Sequence, residues 1–338
     1  MGSLAQRLSC LRQAALAFTV LFTVLFTEAA ARRAAAGLII TPAFDSTITS
    51  DPNAAVIEGV INTAISQYEN SFTNNMNVSV YFKEMISGLG QSQYNLYNEG
   101  YSFFRSGLSA NQAVSGLADQ ATALASLPIQ TNNPLTGNTN VYINTADIKA
   151  LGGPGLTGVL APDSRNYDGI ISLNTHITTP GSPGSTLQYS LAPVVMHEID
   201  EVLGLGSAIP NFNGLPYNGS FPEDLYRYSA SGVRSFTLAS AYFSIDGGVT
   251  NLVNFNNAGS GSDYGDWASS GTARVQDAYA TAGASPTLGV ELTALHVIGY
   301  NGTSSVPEPR SLALLLTGLA GICSCGWLRR RTAESIRP

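Results

Sequence analysis

The chain has 338 residues, 44% of them apolar, with 23 Asp plus Glu against 16 Lys plus Arg. Between Gly37 and Thr303 the imbalance sharpens to 20 acidic against 7 basic side chains, a surface that repels nucleic acid and anionic membranes. All three cysteines (Cys10, Cys323, Cys325) lie outside that span. Disulfide staples, thiolate metal ligands and a cysteine nucleophile are thereby excluded from it.

In chain order, residues 1–36 read as a secretory signal. Arg7 and Arg12 supply a basic start, Ala14 to Thr27 an apolar run, and Ala29–Ala31 and Ala34–Ala36 small-residue exits. Leu38 to Phe44 is expected as a strand. Asp51 to Phe72 is expected as a helix, with Asp51 as cap, Pro52 in the first turn, and one stripe of Ile57, Val60, Ile61, Ile65 and Tyr68. Asn77 to Met85 alternates like a strand. Gly88 to Ser106, rich in Gly, Gln, Tyr and Asn, is expected to be irregular, and Ala110 to Leu127 helical. Short strands are expected at Val141 to Ile143 and Gly169 to Leu173, then a helix over Leu191 to Leu203. Beyond Gly206, only short strands near Ser235 to Leu238, Ala241 to Ile245 and Leu252 to Phe255 precede a last helix over Leu288 to Ile298. This layout is α+β.

Chemistry concentrates in "VVMHEIDEVLGLGS", Val194 to Ser207. On a helix, His197 and Glu201 lie one turn apart on one face, so an imidazole and a carboxylate can hold one metal ion. Glu198, offset by about 100°, can act on water at that ion instead. This is the logic of the His-Glu-x-x-His zinc helix, two ligands at i and i+4 and a Glu as general base. Here Glu stands where the second His would be; carboxylates are accepted zinc ligands but favour harder ions. Gly204, seven residues after His197, resembles the glycine at which the chain turns sharply off the helix in metzincin-type proteases. A third ligand is required for zinc. Asp224, 23 residues after Glu201 in "PEDLYRY", is the first candidate, with Glu223 beside it and Asp263 and Asp266 in a second tier. His176 reads as an exposed loop residue and His296 as a helix-end histidine. Tyr226 and Tyr228 fit core packing better than oxyanion stabilisation. A nucleophile elbow is absent, and "GPGLTG" lacks the Gly-Lys-Ser/Thr of a P-loop.

The run "MHEIDEVLGLGS", with "FPEDLYRYSASGVRSF", "AYFSIDGGVTNLVNFN", "SDYGDW" and "VQDAY...ELTALHVIGYN", resembles a family of exported bacterial zincin-like metalloproteases carrying His-Glu-Ile-x-Glu-Val. The resemblance implies a metzincin-type fold with an N-terminal mixed sheet and helices, an active-site helix and an irregular C-terminal lobe. It further implies a zinc-dependent endopeptidase acting on peptides, with Glu198 as base and His197 and Glu201 as ligands; Asp224 is added as third ligand from its place in the chain, and the acidic body suggests cationic or neutral peptides. The alternatives are a non-catalytic surface or matrix protein on such a scaffold, and a Ca²⁺-stabilised adhesin using Asp246, Asp263 and Asp266. The C-terminus carries Pro307–Pro309, an apolar stretch from Ser311 to Leu328 just long enough to cross a bilayer, and Arg329–Arg331. That order resembles a PEP-CTERM sorting signal. It implies export through the Sec pathway, transient membrane anchoring over 311–328, exosortase processing of residues 304–338, and a cell-envelope or extracellular destination.

Overall fold

The computed structural model describes residues 37–209, 218–257 and 263–302. The expected secretory signal and C-terminal sorting segment lie outside the described residues. The architecture is α+β. Among the described residues no helix is long and apolar enough to cross a membrane.

The N-terminal half is a mixed four-stranded sheet. β1 (Leu38–Phe44) and β2 (Met76–Glu84) pair in parallel, β2 continues in parallel to β4 (Gly169–Leu173), and β3 (Gly90–Gln93) closes the sheet antiparallel to β4. β1 holds Pro42, which cannot donate to a ladder, and the strand accordingly occupies the other edge. β4, with a neighbour on each side and buried at every residue, is the continuous apolar run that such a position demands.

Helix α1 (Ala54–Ser71) lays Ile57, Ile61, Ala64, Ile65 and Tyr68 into the core. Each isoleucine removed from water there contributes about 1.5–3 kcal/mol. The helix starts later than expected: Asn53 is the cap position, and Asp51 instead accepts the Asn53 N–H (2.6 Å) in the preceding turn. The expected helix over Ala110 to Leu127 is two, α2 (Gly100–Ser115) and α3 (Ala118–Ser126), broken at Gly116, whose φ of 65° belongs to the left-handed region. The expected irregular stretch Gly88 to Ser106 contains β3, a strand at Leu96–Asn98 and the first turn of α2.

Helix α4 (Leu191–Leu203) covers the residues marked by the apolar frame. Val194, Val195, Ile199, Val202 and Leu203 are buried. Tyr68 donates to Met196 O (2.7 Å) and Asp200 Oδ1 (2.9 Å), which ties α1 to α4. Gly204 ends the helix at φ 121°, and a Cβ there would stand 3.1 Å from Asp147 and Ile298. Only glycine makes this exit.

The C-terminal half is built from short strands. Arg227–Ala230 pairs with Val233–Arg234 and with Tyr242–Phe243, which pairs with Val253–Asn254. The strand expected at Ser235 to Leu238 is not formed; Arg227–Ala230 takes its place as the centre of that sheet. Phe243, Phe255 and Trp267 pack together at 5.2–6.3 Å between ring centroids. Helix α5 (Val290–Ile298) closes the core with Ala294, Leu295, Val297 and Ile298.

Candidate metal centre

α4 presents His197 and Glu201 on one face, with His197 Nε2 3.5 Å from Glu201 Oε1. Across from them stands Asp266, its Oδ1 3.8 Å from the same nitrogen. One ligand atom from each of the three lies within 4.8 Å of the others. At metal–ligand distances of about 2.0–2.1 Å, tetrahedral ligand atoms stand about 3.4 Å apart, so the set needs little adjustment to close on one ion. The imidazole is oriented for that task. Its Nδ1 faces Val275 O at 3.0 Å, and a carbonyl only accepts, so Nδ1 carries a proton and Nε2 is the nitrogen turned to the two carboxylates, where a cation would take the place of its proton.

Asp266 is held from three sides. Asn256 donates its N–H to Asp266 O (2.7 Å), and Gln276 Nε2 donates to Asp266 Oδ1 (2.9 Å). Next along the chain, Trp267 N donates to Gln276 O (2.8 Å). Glu291 of α5 accepts from Trp267 Nε1 (3.2 Å) and Gln276 N (3.1 Å), anchoring both segments from behind.

Glu198 is 5% exposed, and its Oε2 has no hydrogen-bond partner among the described residues. It lies against β3 so closely that a Cβ on Gly90 would stand 2.3 Å from Glu198 Oε1. Two positions along that strand, Ser92 donates its hydroxyl to Glu201 Oε2. Glu198 and His197 line a cavity of about 390 Å³ together with Leu89, Pro193, Val194, Ala278 and the charged pair Arg274 and Asp277.

Electrostatically the centre is overloaded with carboxylates. Burial and then the charge of Glu201 push Glu198 well above the ordinary carboxyl range. Burial pushes Asp266 up to about 7, against the pull of His197. Asp263 is raised by burial and by Asp266. Burial works against both partners of the pair at the ligand face, yet Glu201 is lowered through its contact with His197, and His197 is raised by Asp266 and Glu201. Several acids around one imidazole form a site that either binds protons or binds a cation.

Asp224 requires a correction. Its loop does return to the motif, but beyond the helix exit rather than at the metal face. Asp224 Oδ1 accepts Ser207 Oγ (2.6 Å), and Oδ2 accepts Ala208 N (3.0 Å) and Phe221 N (2.9 Å). With its oxygens committed, Asp224 is a strut for the segment leaving α4. Asp224→Ala strands two buried N–H groups and a hydroxyl, at about 1–3 kcal/mol each. The expected outcome is a melting temperature lower by roughly 10 °C with metal uptake retained, checked by thermal melts with and without zinc.

The other candidates separate clearly. Glu223 Oε2 accepts Gly206 N (2.6 Å), one step from the same strut. Asp246 is occupied in its own turn by Ser244 Oγ (2.7 Å) and Thr250 N (2.9 Å). His176 is exposed. His296 pairs with Asp119 Oδ2 (3.0 Å) at the end of α5. Tyr226 is buried and donates to Val297 O (2.9 Å), and Tyr228 is buried beneath Arg234. Residues not singled out in the sequence are Ser92, Gln276 and Tyr94; Tyr94 is half-buried, and desolvation and then the charges of Glu201, Asp263 and Asp266 raise its phenol well above the ordinary range. Their one available signal was that "GQSQY" follows a strand and precedes the motif helix.

Neither a family model, nor a curated protein, nor a solved structure matches the chain.

Proposed function

We propose that the protein is a metal-dependent endopeptidase on a zincin-like scaffold, with His197, Glu201 and Asp266 as ligands and Glu198 as general base. The observation that carries the reading is the convergence of three ligand atoms within 4.8 Å, with a buried, unpartnered carboxylate oxygen one residue along the helix. When bound, the ion, most simply zinc, supplies Lewis acidity that polarises a carbonyl and acidifies water. Glu198, whose proton affinity burial raises, is the group placed to take the proton of the attacking water at Oε2 and pass it to the departing amine. Among the described residues β3 has a partner strand on one side only, so its other side offers main-chain donors and acceptors to an extended peptide. The cavity beside Glu198, of mixed apolar and polar lining, has room for a substrate side chain next to the scissile bond.

Export through the Sec pathway, a peptide or protein substrate, and exosortase handling of residues 304–338 complete the proposal. They rest on the sequence of the two ends. Unstructured casein and peptide libraries are the test. Cleavage that needs added zinc and stops with chelator supports the reading; metal-independent cleavage, or none with the metal bound, sinks it.

A further inference from the structure

The substitution of Glu for His at the second ligand position has a physical cost. An imidazole has two side-chain torsions and one free nitrogen once the other is hydrogen-bonded. A glutamate has three torsions and two equivalent oxygens, and here it has two competing neighbours, His197 and Glu198. Left to itself, Glu201 would spread over several arrangements, and each would have to be given up on binding.

β3 removes that freedom. Its two residues turned toward α4 are Gly90 and Ser92, spaced two apart as strand pleating dictates, while Gln91 and Gln93 are exposed. Gly90 leaves room for Glu198. Ser92 binds Glu201 Oε2, which leaves Oε1 facing His197 Nε2 at 3.5 Å. The strand is itself fixed by its antiparallel pairing, Ser92 opposite Ile171 and Gln91 opposite Ser172, with Ile171 fully buried.

We infer that Ser92 is a positioning residue that presents Glu201 as a metal ligand, compensating for the missing second histidine. The inference rests on the metal-site reading above. It makes the edge strand part of the metal centre as well as the wall of the cleft: Ser92 sets the ligand and Gly90 makes room for the base. No activity assay is needed to examine it, because the predicted effect is on the affinity of the site.

The experiment is zinc affinity of the purified protein by competition with a chromophoric chelator, for wild type, Ser92→Ala and Ser92→Thr. The visible spectrum of bound Co²⁺ is recorded in parallel. Loss of a hydrogen bond that orients a ligand lowers affinity by about 10–100-fold. The expected result is that loss in Ser92→Ala, an altered Co²⁺ spectrum, a metal-free melting temperature lowered by no more than the few degrees that one lost hydrogen bond costs, and near wild-type affinity in Ser92→Thr, which keeps the hydroxyl. Equal affinity in wild type and Ser92→Ala overturns the inference while leaving the metal site intact. Equal losses in Ser92→Ala and Ser92→Thr overturn it too, because the hydroxyl is then not the agent. No zinc uptake by wild type overturns both this inference and the metal-site reading.

Discussion

Glu198→Gln is expected to bind metal as wild type does and to cleave peptide about 10²–10⁴-fold more slowly. The amide keeps the size and nearly the shape of the carboxylate, so Gly90 still accommodates it, but it cannot take a proton. One of the Glu198 oxygens has no partner among the described residues, and burial raises the proton affinity of the carboxylate where a base is useful. Steady-state hydrolysis beside metal analysis checks this. Metal retained with turnover lost assigns the base, whereas turnover within tenfold of wild type excludes Glu198 from that role. Gly90→Ala should reach a similar loss by another route, since the added Cβ would stand 2.3 Å from Glu198 Oε1 and displace the side chain.

Metal binding is expected to raise the melting temperature, and the rise to grow with pH. The physical reason is the crowd of acids. Asp266 has its folded pKa raised from 3.8 to about 7, so the metal-free native state holds a proton that the unfolded chain releases. As pH climbs between those values the native state binds more protons than the unfolded one, and metal-free stability falls. A bound cation reverses the sign by favouring the ionised carboxylate, and it competes better as protons become scarce. At a free metal concentration a thousandfold above Kd, stabilisation is about 4 kcal/mol. For a domain of this size that is roughly 8–16 °C. Melts with zinc and with chelator at pH 5, 6, 7 and 8 measure it. The gap should be small at pH 5 and open through about pH 7; a gap independent of pH would show that Asp266 is not a ligand.

The legibility of the fold in the sequence followed burial. β1, β4 and α4 are apolar enough that period and end signals placed them within their observed bounds. β3 escaped because an edge strand over a polar site has no apolar alternation to show: in Gly-Gln-Ser-Gln two residues face solvent and two face carboxylates. The start of α2 escaped because Gly100 and Gly107 weaken its helical appearance, although Tyr101, Phe104 and Leu108 bury one face.

In the site, the pair on α4 was readable because i, i+4 spacing is local. For the third position the sequence offered Asp224 first, then Glu223, with Asp263 and Asp266 in a second tier, and it could not rank them by where the fold would put them. Asp224 looked suitable because its loop was long enough to return, and it does return, to Ser207 and Ala208 just past the helix. Asp266 is placed by pairings far apart in sequence, Trp267 with Phe255 and with Asp277, and Glu291 behind them. No spacing rule reports such contacts.

The most direct measurement is metal content per chain after zinc loading and desalting at pH 7.5, for wild type, His197→Ala, Asp266→Ala and Asp224→Ala. About one zinc in wild type and in Asp224→Ala, with none in His197→Ala or Asp266→Ala, is the expected result. Zinc lost in Asp224→Ala but kept in a folded Asp266→Ala would contradict the assignment of the centre.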